Sequence, residues 1–137
     1  MIENKPQIAK QLADSASRFQ AQRTGHAPKA VTVVLSEETM VVTLHEALTP
    51  AERQLSQSVA GAAQVQEFHR QLFASTIDEM REEILRLTGR KVREAVAQID
   101  AVTGAVIQAF TTGDMVQVYL LDSAAPPEIA DNWSPPV

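Results

Sequence analysis

Residues 30–46 read AVTVVLSEETMVVTLHE, and this stretch decides the fold. Val31, Val33 and Leu35 alternate with Thr32 and Val34 over 30–36, and Met40, Val42 and Leu44 alternate with Val41, Thr43 and His45 over 39–46. A period of two places alternate side chains on one face of a strand, and β-branched residues suit that pleated surface. The short polar Ser-Glu-Glu stretch between the runs predicts an antiparallel hairpin.

Upstream, residues 5–23 change to a period near 3.6, with Ile8, Leu12, Ala16 and Phe19 on one face. Asn4 is suited to cap this helix, Pro6 to its first turn and Gly25 to its exit. Downstream, Leu48-Thr49-Pro50-Ala51-Glu52 is the sharpest local signal. The Thr49 hydroxyl caps, Pro50 takes the first helical position, and Glu52 reaches back to the cap amide. Capping therefore accounts for Glu52 better than a catalytic carboxylate does. A short helix is expected to about Val59, with Gly61 breaking it.

Residues 64–88 form the longest helical pattern, with Val65, Phe68, Leu72, Ile77, Met80, Ile84 and Leu87 as its apolar stripe and Gly89 as its stop. Three strands follow at 92–100, 106–111 and 115–121, separated by turns containing Gly104 and Gly113. Of these, 92–100 is ambiguous, because Arg93-Glu94-Ala95-Val96-Ala97-Gln98 also has good helix propensity. Four of the seven prolines lie beyond Ser123, so the tail is extended or disordered rather than a helix or central strand. The organisation expected is one α+β domain over 1–121 and a Pro-rich arm over 122–137. Its order is α-β-β-α-α-β-β-β, an antiparallel sheet of about five strands with helices on one face.

Composition narrows the function. With no cysteine in 137 residues there is no disulfide, thiolate metal site or Cys nucleophile. A net charge of -5 and 4% aromatic residues argue against nucleic acid as a partner. No signal peptide is visible and no apolar run approaches the length of a membrane span, so a cytoplasmic location without membrane contact is expected. The chain has neither phosphate-binding glycine fingerprint nor a nucleophile elbow. His26, His45 and His69 each stand alone, so surface or boundary positions are expected for them, with no metal and no cofactor.

One loop resists a purely structural account. In Arg23-Thr24-Gly25-His26-Ala27-Pro28-Lys29, Gly25 serves the helix exit and Pro28 the approach to the strand, but His26 and Lys29 serve neither. The candidate ligand-binding residues are Arg23, His26, Lys29, His45 and Arg70, with a small anion the natural ligand.

Taken in order, several segments resemble a known bacterial family. They are Gly25-His26-Ala27-Pro28-Lys29, Leu48-Thr49-Pro50-Ala51-Glu52, a long helix containing Arg70 and ending Thr88-Gly89-Arg90-Lys91-Val92, Thr103-Gly104, Phe110-Thr111-Thr112-Gly113-Asp114, and Val116-Gln117-Val118-Tyr119-Leu120-Leu121. This pattern resembles domain of unknown function 2294 over roughly 5–121. The resemblance implies a Gly-x-Gly-Pro loop, in which His26 holds the middle place and Ala27 replaces the second glycine. It implies no activity, catalytic residue or cofactor.

Several strands carry apolar side chains on both faces, Val34, Val41, Thr43, Val106 and Val118 among them. A sheet covered on one face alternates more cleanly. The expectation is therefore a homodimeric, non-enzymatic interaction or regulatory module that binds a protein or small ligand. The alternative is a small-molecule binder or enzyme whose site gathers His26, Lys29, His45 and Arg70. A third reading gives recognition to Trp133 in the Pro-rich arm.

Overall fold

The alternation of residues 30–46 does produce a hairpin. In the computed structural model, which describes residues 5–36, 38–100 and 104–111, β1 (Ala30–Leu35) pairs antiparallel with β2 (Thr39–His45). The remaining strands are β3 (Glu94–Asp100) and β4 (Ala105–Thr111), and the sheet order is β1-β2-β4-β3, antiparallel throughout. The helices are α1 (Lys5–Thr24), α2 (Pro50–Leu55) and α3 (Val59–Thr88). This is an α+β fold with four strands among the described residues. The fifth expected strand, 115–121, and the arm, 122–137, lie outside them.

Register sorts the side chains into two faces. Val33, Val42, Gln108 and Ala97 lie in one row across the sheet, and Val31, Leu44, Val106 and Ile99 in another. These rows share one core with Leu12, Ala16 and Phe19 of α1 and Val65, Phe73, Met80 and Ile84 of α3. At about 25 cal/mol per Å² of apolar surface, this shared burial is the main force holding the layers together. Val106 therefore faces the helices. The opposite face carries the row Val34–Val41–Ala109–Val96, with Thr32, Thr43, Ile107 and Gln98 beside it.

Tertiary pairing resolved the ambiguity at 92–100 in favour of a strand from Glu94 onward. Ala95, Ala97 and Ile99 pack against the core from one face, which a helix in that place would not allow.

The α2–α3 junction differs from expectation. The break falls at Ser56-Gln57-Ser58, α2 ends at Leu55, and Gly61 lies inside the first turn of α3. Ser58 caps α3 by accepting from the Gly61 amide at 2.9 Å. Gly61 is instead required by close approach: a Cβ there would sit 1.9 Å from the Leu55 carbonyl oxygen. The buried stripe of α3 is also rotated. His69 and Phe73 face inward at 3% and 8% exposure, while Phe68 is 47% exposed.

At its far end α3 stops at Gly89, left-handed at φ 75°, whose amide donates to the Leu85 carbonyl. Between α1 and α3, Ser15 Oγ donates to Glu83 Oε1 at 3.2 Å. The Glu83 carboxyl is held below the ordinary carboxylate range, chiefly by the Arg86 hydrogen bond, with help from Ser15 and against its own burial.

Candidate functional site

Two clefts flank the loop that joins α1 to β1. Gly25, left-handed at φ 74°, turns the chain out of α1. The Thr24 hydroxyl then accepts from the His26 amide at 3.0 Å, and the Lys29 amide donates to the His45 carbonyl at 2.9 Å. These bonds fix the loop at both ends.

The smaller cleft, about 240 Å³, is lined by His26, Ala27, Lys29, Glu46, Leu48, Pro50 and Arg53. His26 Nε2 lies 3.2 Å from the Glu46 carbonyl oxygen, a bond that needs the proton on Nε2 because a carbonyl only accepts. Lys29 Nζ lies 3.4 Å from Glu46 Oε2, and both side chains are exposed, so this pair adds little stability. Glu46 itself is left-handed at φ 51°, the one non-glycine residue with positive φ among the described residues. That conformation costs about 1 kcal/mol for a residue with a Cβ. Three basic side chains and one carboxylate thus meet around a strained residue.

The larger cleft, about 450 Å³, is lined by Arg23, Thr24, Thr49, Glu52, Leu55, Gln64, Val65 and Phe68. Its wall includes the capping box read from sequence. The Thr49 amide donates to Glu52 Oε1 at 2.8 Å, and the Glu52 amide donates to Thr49 Oγ1 at 3.2 Å. Glu52 has a second partner that the sequence did not reveal: its Oε2 lies 2.7 Å from His69 Nε2. The His69 side chain is 2% exposed and that of Glu52 13%, so the imidazole is the hidden end of the pair and the carboxylate its accessible end.

The five residues expected to bind ligand are divided. His26 and Lys29 share the smaller cleft. Arg23 lines the larger one, where its guanidinium bonds Glu79 and its Nε donates to Ser75 Oγ at 3.2 Å. His45 is exposed on β2, with Nε2 2.9 Å from Thr32 Oγ1, and Arg70 pairs with Glu67 on the surface of α3. Neither lines either cleft. Among the described residues no group of three or more His, Asp or Glu side chains could hold a metal ion, and no helix is long and apolar enough to cross a membrane.

Among the described residues, the fold is a small α+β module with these two recesses beside the loop that joins α1 to β1. The family described as "Na+-translocating membrane potential-generating system (MpsC)" matches residues 4–114, and the chain belongs to it. That match corrects the expected attribution to domain of unknown function 2294. Among individual proteins, "Uncharacterized protein YbcI" of Bacillus subtilis (strain 168) is 24% identical over 110 residues, covering 80% of this chain and 89% of its own length. No solved structure matches.

Proposed function

We propose that this protein is a non-enzymatic interaction module that pairs with a second copy of itself through the outer face of its sheet. It would act within the Na+-translocating membrane potential-generating system for which its family is described. The supporting observation is the row Val34–Val41–Ala109–Val96, apolar across the four described strands, in which Ala109 is buried but Val34 and Val96 at the two ends are each 60% exposed. Water-facing strands ordinarily carry polar residues there, and a second copy seated on Val34 and Val96 removes their exposed apolar surface from water.

Sedimentation velocity at micromolar concentration tests the pairing. The expected result is a dimer in the parent chain and a monomer with unchanged helical circular dichroism in Val34→Glu/Val96→Glu. A parent chain that sediments as a monomer throughout overturns it. The folding unit is proposed to end near Leu121, with the Pro-rich residues 122–137 as an appended arm.

A second reading makes the smaller cleft a site for a small anion. His26, Lys29 and Arg53 supply three basic side chains around it, and Glu46 holds a strained backbone at its edge. Titration calorimetry with inorganic phosphate should show binding that His26→Ala/Lys29→Ala abolishes. Equal heats from the two chains would dismiss the site.

A further inference from the structure

The Glu52–His69 pair is more than an inter-helix link, because its accessible end lines the larger cleft. We infer that this cleft binds a small amphipathic amine, with its ammonium on Glu52 and its apolar body against Leu55, Val65 and Phe68.

The shape suits such a ligand. A recess of about 450 Å³ falls within the usual range of small-molecule sites, which combine apolar walls with a few fixed polar groups. Leu55 and Phe68 are 46% and 47% exposed, so two large apolar side chains present uncovered surface. A ligand body laid on them removes that surface from water.

The polar end is pre-organised. Glu52 Oε1 is fixed by the Thr49 amide and Oε2 by His69, so the carboxylate does not need to be ordered on binding. A carboxylate has about four lone-pair sites, and these two bonds occupy one on each oxygen. The remaining sites are available to a donor in the cleft. His69 is held in turn by the edge of its neighbour, with the Phe68 and His69 rings 5.5 Å apart at 85°. One aromatic residue thus both walls the cleft and steadies the residue behind its carboxylate.

The sign of the charge follows from which charges are already paired. Arg23, the cation of the lining, is paired with the Glu79 carboxylate and also donates to Ser75, whereas Glu52 has an amide and an imidazole as partners. Thr24 and Thr49 are committed to backbone bonds. Glu52 is the carboxylate of the lining, and it recognises a cation.

The test uses phenethylamine as probe and 3-phenylpropanoate, of similar body and opposite charge, as its counterpart. Calorimetry and amide chemical shifts should show the amine binding at the cleft and the carboxylate failing to bind. Glu52→Gln should weaken the amine about tenfold or more. Its helical circular dichroism should match the parent's, because glutamine also completes a capping box and the His69 ring can accept from the amide that replaces Oε2. Phe68→Ala, at a half-exposed position, should weaken it as well. Equal binding of both probes, an unchanged affinity in Glu52→Gln, or no shift of cleft amides at the highest soluble amine concentration would each overturn the assignment.

Discussion

Glu46 and Gly61 show how a single backbone requirement constrains a residue. Glu46 is left-handed, a conformation that asparagine tolerates and β-branched residues resist. Glu46→Asn should raise stability by about 0.5–1 kcal/mol, since the exposed Lys29 pair it removes contributes little. Glu46→Val should lower stability by about 1–2 kcal/mol. Chemical denaturation of both variants checks the difference in sign. Gly61 permits no such exchange. A Cβ at that position would meet the Leu55 carbonyl oxygen at 1.9 Å, and backbone cannot yield as a side-chain tip does. Gly61→Ala should cost about 3 kcal/mol or more, read as a lower denaturation midpoint.

At the scale of elements, α2 has only six residues and none is buried, so its order depends on its bonds to the rest of the molecule. Thr49→Ala removes the cap and should cost about 1 kcal/mol. His69→Ala should cost more, about 1–3 kcal/mol, because it leaves a cavity at a buried position and takes a partner from the Glu52 carboxylate. Thermal melts rank the two. Glu83 on α3, held chiefly by Arg86 of the same helix and also by Ser15 of α1, has a pH signature. The Glu83 carboxyl is held low by Arg86 and Ser15, so its contribution is present above the carboxylate's unfolded pKa. That contribution is lost as pH falls through the lower folded value. Glu83→Gln should therefore flatten the acid limb of stability against pH while leaving its neutral-to-basic shape unchanged.

For the whole molecule, legibility followed the range of the forces. The hairpin could be read from residues 30–46 because alternation and turn are both local. The capping box could be read because its partners lie three residues apart. The strand at 94–100 could not be settled locally, since its alanines and glutamine suit a helix and only β4 beside it decides. The larger cleft was hidden for the same reason: Glu52 and His69 lie 17 residues apart on different helices. A signal did exist. Val65, His69 and Phe73 are spaced by four, so a stripe drawn through them places a histidine at a core position, where it requires a polar partner. The candidate residues His45 and Arg70 were chosen by residue type, and type says nothing about which cleft a side chain reaches. At this scale the domain boundary is also testable. Truncation after Leu121 should leave the unfolding midpoint unchanged, and a lowered midpoint would show that the arm contributes to the fold.

The length of α3 has a structural consequence. Thirty continuous helical residues extend about 45 Å, longer than the roughly 37 Å across a compact chain of this size. Gln64, Val65 and Phe68 at its beginning line the larger cleft, whereas its end at Thr88 leads within a few residues into β3. α3 therefore joins the larger cleft to the start of β3 as one unbroken element, packed on α1 and on β3 along the way.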